Sequence, residues 1–198
     1  MTDTRIIAVS TACQQNPTMI MASVTSNAIH IAKMEPLTRT PAGILKALVT
    51  YSKLATKVGA ELLVEDPTGL FLSFGRNLTL QQKDHTGKPV LVSAFEKYTS
   101  LQRIGAITTP AKLAGQFSIP DSIYNIKHND TGAVSYEIDW ERVKDPARLM
   151  LLVIHAGLCQ TPYQSNFMEN MLDNMVLEGD SIGMLECEEH WCGRVIKL

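Results

Sequence analysis

The sequence lacks several features that would assign a protein to a class directly. It has no run of about 18 apolar residues, so we expect no membrane span. The apolar part of the N-terminal M-T-D-T-R-I-I-A-V is too short for a signal peptide. The four cysteines are scattered and do not form the pattern of a secreted disulfide framework. We therefore expect a cytoplasmic protein with reduced thiols.

A strong positive charge is also missing. The 18 Lys and Arg residues are outnumbered by 20 Asp and Glu residues, and a net charge of −2 gives no global attraction to nucleic acid. The glycines of G-L-F-L-S-F-G (69–75) lack the lysine and helix start of a phosphate-binding loop. What is present is a chain of 198 residues that is 45% hydrophobic, which predicts one globular domain over residues 1–198.

The N-terminal part of the sequence predicts three β-strands in close succession. Residues 5–12 (R-I-I-A-V-S-T-A), 19–24 (M-I-M-A-S-V) and 28–34 (A-I-H-I-A-K-M) are apolar and rich in β-branched side chains. Because the intervening segments are short, the three strands are expected to form an antiparallel meander.

A helix is predicted next, with both ends marked in the sequence. Thr40 is a good N-cap, Pro41 suits the first helical position, and Gly59 provides the C-terminal stop. An apolar stripe recurs between them at helical spacing, formed by Ile44, Leu48, Tyr51, Ala55 and Val58. The strand A-E-L-L-V-E (60–65) follows at once. The order β-β-β-α-β predicts an α/β fold with a mixed sheet flanked by helices.

The remaining sequence predicts further helices and an inserted β-hairpin. Ser93 to Glu96 match a capping box, which indicates a helix N-terminus at Ser93. Alternating residues on both sides of N-D-T-G predict a hairpin at about 120–142, with one face buried. Two helices are predicted after it, one from Asp145-Pro146 to Gly157 and one from Thr161-Pro162 to Gly179.

The segment A-E-L-L-V-E-D-P-T-G (60–69) carries the clearest chemical lead. A buried strand ends here in two adjacent carboxylates, Glu65 and Asp66. Asp66-Pro67-Thr68-Gly69 has the composition of a β-turn, in which Asp66 stabilises the turn. The alternative is that the carboxylates bind a divalent metal ion, because Mg²⁺ prefers oxygen ligands. Both interpretations stay open at this point.

The strand order and V-E-D-P-T-G together resemble the RNase H-like superfamily, in particular phage terminase nuclease domains and RuvC-like resolvases. The resemblance implies an acid on the first strand, an acid at the end of the fourth and further acids near a late helix. These acids would hold two Mg²⁺ or Mn²⁺ ions for phosphodiester hydrolysis. Glu65 matches the second acid and Asp66 is a substitute beside it, while Asp173 or Asp180 would be the late acid. Ser10 stands where the family has its first acid.

Two functions follow as expectations. The first is a phage-type protein that processes DNA or RNA, either as a metal-dependent nuclease or as an inactive relative, because the first-strand acid is absent. The second is a non-catalytic regulatory or assembly protein that binds a protein partner with the same scaffold. The sequence indicates no oligomeric state.

A separate group of metal-ligand types lies in C-E-E-H-W-C, where Cys187, His190 and Cys192 occur within six residues. Their spacing does not match the usual zinc patterns, so zinc is disfavoured. His155 lies in an apolar helix and is predicted to be a hydrogen-bonded core histidine.

Overall fold

The computed structural model of the protein describes residues 3–12, 17–113, 115–128 and 134–159, and residues 1–159 form one compact unit. The single domain predicted over residues 1–198 stays a prediction. The strands of the main sheet are β1 Thr4–Ser10, β2 Thr18–Val24, β3 Ile29–Pro36, β4 Ala60–Glu65, β5 Arg76–Asn77 and β6 Ile107–Thr108. The α-helices are α1 Pro41–Val58, α2 Val90–Arg103 and α3 Asp145–Ile154.

The six strands form one mixed sheet in the order β5-β4-β1-β2-β3-β6. The first three strands are an antiparallel meander, and α1 returns the chain so that β4 lies parallel to β1. The predicted β-β-β-α-β core is confirmed, in the order on which the resemblance to the RNase H-like superfamily rests. The pairs β4–β5 and β3–β6 are also parallel, but each is only two residues long.

Helix α1 confirms the local prediction at both ends. The Thr40 hydroxyl accepts a hydrogen bond from the Gly43 N–H at 3.2 Å, and Pro41 occupies the first turn. Gly59 ends the helix at φ 63°, a left-handed conformation that glycine adopts without strain. The helix buries Ile44, Leu48, Tyr51 and Ala55, and it packs on β1 and β4.

The opposite face of the sheet carries the main hydrophobic core. Alternate residues of a strand point to opposite faces, and Ile6, Ala8, Ile20, Ala22 and Leu63 form one buried cluster with side chains of α2 and α3. The sheet thus separates α1 from the α2–α3 pair. Within the described ranges, no helix has both the length and the apolar character needed to cross a membrane.

The predicted hairpin is present as a separate two-stranded sheet of β7 Tyr124–His128 and β8 Val134–Ile138. Its base is held by an edge-to-face contact between Tyr124 and Phe95 of α2, with ring centroids 6.0 Å apart. The prediction of a buried face holds only near this base, because Ile126 and Val134 on the same face are 53% and 49% exposed.

The predicted helix start at Ser93 is wrong. Helix α2 begins at Val90, after Pro89, and no side chain caps its first turn. The Ser93 hydroxyl instead donates a hydrogen bond to the Asp84 carboxylate, which belongs to the preceding loop. This hydrogen bond to a residue nine positions earlier replaces the capping role that the sequence pattern suggests for Ser93.

Candidate functional site

The candidate site lies where two parallel strands end side by side. Strands β1 and β4 pair so that Ser10 is opposite Glu65. The backbone N–H of Thr11 then donates to the carbonyl of Glu65 at 2.9 Å, which closes the end of the pair. Because the carboxyl ends of parallel strands meet at the same edge, Ser10, Glu65 and the following Asp66 are brought together.

The carboxylate of Glu65 is buried and accepts hydrogen bonds from three parts of the fold. Its side chain is 1% exposed. The Ser10 hydroxyl donates to Oε2 at 2.5 Å, and the backbone N–H of Leu80 approaches Oε1 at 3.4 Å. Both oxygens also accept from the Arg148 guanidinium. A charge with so little contact with water is stable only when it is paired and hydrogen-bonded, and Glu65 satisfies both conditions within the protein.

Arg148 provides the opposite charge from the first turns of α3. Its Nε donates to Oε2 of Glu65 at 2.7 Å and its Nη2 donates to Oε1 at 2.9 Å. This two-pronged geometry is the strongest arrangement available to an arginine and a carboxylate. The guanidinium also lies over the Trp140 ring, 5.1 Å from its centroid, which adds a cation–π contact. With a side chain that is only 15% exposed, Arg148 is held on two sides.

Asp66 stabilises the turn that follows β4. Its Oδ1 accepts from the hydroxyls of Thr11 and Thr68 and from the Thr68 N–H, and its Oδ2 accepts from the Phe71 N–H at 2.8 Å. The Gly69 N–H reaches the Asp66 carbonyl at 3.3 Å, as expected of a β-turn. Burial alone would raise the pKa of Asp66, but the donors from Thr68, Phe71 and Thr11 outweigh it and lower the pKa.

The described donor set does not fit a divalent metal centre. Mg²⁺ requires several oxygen ligands with free lone pairs, whereas Glu65 and Asp66 each direct both carboxylate oxygens at donors of the protein. Within residues 3–12, 17–113, 115–128 and 134–159, no group of three or more His, Cys, Asp or Glu side chains is arranged to hold a metal ion. A metal role of Glu65 and Asp66 stays a prediction, and at Glu65 a metal ion would compete with Arg148.

Several other predicted residues lie outside the described part of the chain. These are the late acids Asp173 and Asp180 and the three residues of the disfavoured zinc group, Cys187, His190 and Cys192. Within the described part of the chain, the carboxylates of Glu65 and Asp66 have separate hydrogen-bond partners, from Ser10, Leu80 and Arg148 for Glu65 and from Thr11, Thr68 and Phe71 for Asp66.

His155 is a core residue, as predicted, but the prediction that it is hydrogen-bonded does not hold for its Nδ1 atom. Its side chain is 3% exposed, and its Nδ1 has no hydrogen-bond partner. Burial lowers the pKa of His155, so the neutral ring is favoured. The neighbouring Cys159 thiol donates to the Ser93 carbonyl at 3.8 Å, and burial raises the pKa of Cys159 to about 11. A thiol with this pKa is a poor nucleophile at neutral pH.

Sequence reasoning missed Arg148. The one signal for it is a lone cation at the start of the apolar run R-L-M-L-L-V-I. A charge that a helix carries into a core needs a buried partner. That partner lies 83 positions earlier in the chain, and no local pattern connects the two residues.

Comparison with known proteins finds similarity only among solved structures. No protein-family model matches the chain, and no curated protein matches it. The large terminase nuclease of thermophilic phage G20c is similar with a TM-score of 0.47 and 13% identity, over 79% of this chain and 83% of that one. The nuclease domain of the large terminase subunit of bacterial virus Sf6, in a structure with manganese and beta-thujaplicinol, has a TM-score of 0.45 and 10% identity, over 80% and 89% of the two chains.

The large terminase nuclease domain of Thermus phage P74-26 is similar at a TM-score of 0.44 and 12% identity, over 80% of this chain and 82% of that one. At such identities the likeness concerns the fold alone. The chemistry at the ends of β1 and β4 is decided by this chain's own residues.

Proposed function

We propose that this protein uses an RNase H-like scaffold for binding and does not hydrolyse phosphodiester bonds. The observation that supports the proposal is the ion pair between Arg148 and Glu65, in which the guanidinium uses both oxygens of the buried carboxylate. The resemblance carried by V-E-D-P-T-G and by the strand order supports a phage-type, nucleic-acid-processing setting for this role.

The charges at the site explain why hydrolysis is disfavoured. Two-metal hydrolysis uses carboxylates to hold two divalent ions a few ångströms apart. Here the first-strand position is Ser10, whose neutral hydroxyl is a donor to Glu65. The charge of Glu65 is already balanced by Arg148 at 2.7 Å. A divalent ion that bound Glu65 would have to displace the Arg148 guanidinium from the carboxylate. The displaced guanidinium would remain nearby, and its positive charge would repel the ion.

The alternative is a metal-dependent nuclease in which Glu65 and Asp66, with Asp173 or Asp180, hold Mg²⁺ or Mn²⁺ and act on DNA or RNA. The observation in its favour is the parallel pairing that sets Ser10 and Glu65 side by side. In that case Arg148 would leave the carboxylate when the metal binds. Zinc is part of neither proposal.

One experiment separates the two functions. Mg²⁺ and Mn²⁺ are titrated calorimetrically into chelator-treated protein, and the same preparations are incubated with plasmid DNA and with a folded RNA. The variants are Glu65→Gln and, as the matched control, Glu61→Gln, which removes a carboxylate from the same strand that pairs with Arg76. We expect no saturable heat at millimolar metal and no cleavage by any form.

Metal binding that is lost in Glu65→Gln and kept in Glu61→Gln would overturn the proposal and establish a metal site at the end of β4. Cleavage that requires the same carboxylate would establish the nuclease. A pair of further variants, Asp173→Asn and Asp180→Asn, would then identify the late acid.

A further inference from the structure

The exposed side of α1 has an unusual charge composition. The helix contains three lysines, Lys46, Lys53 and Lys57, and no acidic residue over its 18 positions. All three lysines are exposed. A local excess of positive charge is therefore concentrated on one helix of a chain whose net charge is −2.

Three other lysines of the described region are paired with carboxylates. Lys33 pairs with Glu35 at 2.7 Å, Lys88 pairs with Glu96 at 3.1 Å, and Lys127 pairs with Glu137 at 2.8 Å. Among the described residues, the three lysines of α1 take part in no such pair. Lys83, Lys97, Lys112 and Lys144 of the described region take part in no such pair either, so the α1 lysines are distinguished by lying together on one helix.

The three lysines form a row along the helix. At about 100° per residue, Lys46, Lys53 and Lys57 fall within an arc of about 40°, and the row extends for about 16 Å along the axis. Leu45 and Val49 lie along one side of it, one helical turn apart. These two side chains are 43% and 38% exposed, so the row is bordered by apolar surface. We call these five residues the α1 face.

We propose that the α1 face docks an acidic amphipathic helix of a protein partner. Carboxylates of that helix would pair with the lysine row, and its apolar side chains would cover Leu45 and Val49. Charge complementarity sets the orientation and rate of such an encounter, and burial of the two apolar side chains adds affinity. The inference rests on the proposed binding role and names the chemistry of the partner.

A nucleic acid fits this face less well. Phosphates would satisfy the lysines, but they would leave Leu45 and Val49 without an apolar counterpart. The exposed positions of α1 carry no arginine for two-pronged phosphate contacts and no aromatic ring for stacking on a base. Both chemistries depend on salt, so salt dependence alone does not separate them, whereas the role of Leu45 and Val49 does.

The probe is a synthetic helical peptide of the same length as α1, with leucines at helical spacing and glutamates beside them, labelled for fluorescence anisotropy. Duplex DNA of random sequence is the second probe. We expect the full-length protein to bind the acidic peptide and not the duplex. In the variant Lys46→Gln/Lys53→Gln/Lys57→Gln, we expect the affinity for the peptide to fall at least tenfold and most of the salt dependence of binding to disappear. In the variant Leu45→Ser/Val49→Ser, we expect the affinity for the peptide to fall several-fold while binding keeps its salt dependence.

The matched control is Lys83→Gln/Lys112→Gln/Lys144→Gln, which removes the same charge from exposed positions elsewhere and should leave peptide binding unchanged. Duplex binding that is lost in the α1 lysine variant and unaffected by Leu45→Ser/Val49→Ser would overturn the proposal in favour of a polyanion surface. Absence of binding to either probe would identify a solvated face and would overturn it as well. The α1 face is tested without altering Glu65, so a nuclease activity at that site and a failure of this inference are distinguishable.

Discussion

The guanidinium of Arg148 and the carboxylate of Glu65 form two parallel hydrogen bonds, of 2.7 Å from Nε to Oε2 and 2.9 Å from Nη2 to Oε1. This pair joins α3 to the end of β4 and neutralises the carboxylate that accepts the hydrogen bond of the Ser10 hydroxyl. The end of β4, where the sequence predicts a metal ion, is thus joined to α3 by an internal ion pair.

Breaking the pair from one side should destabilise the protein strongly. Arg148→Met leaves the Glu65 carboxylate buried without its cation, and we expect a loss of about 3 kcal/mol in the free energy of unfolding. The double variant Glu65→Gln/Arg148→Met should lose less free energy of unfolding than the two single variants lose together, because no uncompensated charge remains. Urea unfolding of the four proteins measures this coupling. Additive losses would show that the two side chains do not interact.

A metal site should form at the end of β4 when Ser10 is replaced by an acid and Arg148 is removed. In Ser10→Asp/Arg148→Met two carboxylates face each other without an internal cation. We expect an unstable protein whose melting temperature rises when Mn²⁺ is added. At a Mn²⁺ concentration one hundred times the dissociation constant, the free energy of unfolding should increase by about 2.7 kcal/mol. Ser10→Asn/Arg148→Met is the control and should not respond. A manganese response of the control, or none in either variant, would contradict the interpretation of the site.

Stability at acid pH should depend on Asp84. Burial alone would raise the pKa of Asp84, but hydrogen bonds from Ser93, Thr86 and Lys88 lower it from 3.8 to about 2. Because the folded pKa is depressed, this contribution is complete above pH 3.8 and is lost as the pH falls towards about 2. Asp84→Asn should therefore flatten the pH dependence of urea unfolding in that range. An unchanged slope would mean that Asp84 is not stabilised by these donors.

The short pairing of β5 with β4 should depend on the absence of a side chain at Gly75. A Cβ atom at this position would lie 2.4 Å from the backbone oxygen of Leu62, which cannot move without disturbing β4. We expect Gly75→Ala to lower the free energy of unfolding by about 1–3 kcal/mol. Ser73→Ala, at an exposed position two residues earlier, should be neutral. Thermal unfolding of both variants tests the contact, and equal melting temperatures would contradict it.

The comparison of sequence and structure separates two kinds of residue. Thr40, Pro41 and Gly59 act on residues within one helical turn, so the boundaries of α1 were predictable from the sequence. The turn at Asp66 was predictable for the same reason, since Thr68, Gly69 and Phe71 supply most of its donors. Ser93 also has a local pattern, but its hydroxyl bonds to Asp84, nine positions earlier and outside that pattern.

The sequence by itself determined the order of β1, β2, β3, α1 and β4, because each of these elements is encoded by periodicity and by capping or turn residues within a few positions of one another. Only the tertiary structure decided the state of the site. Glu65 meets Ser10 across 55 positions and Arg148 across 83. Contacts over such separations depend on where the sheet and α3 place each side chain. Whether the acid at the end of β4 faces a second acid or an arginine is therefore a property of the fold.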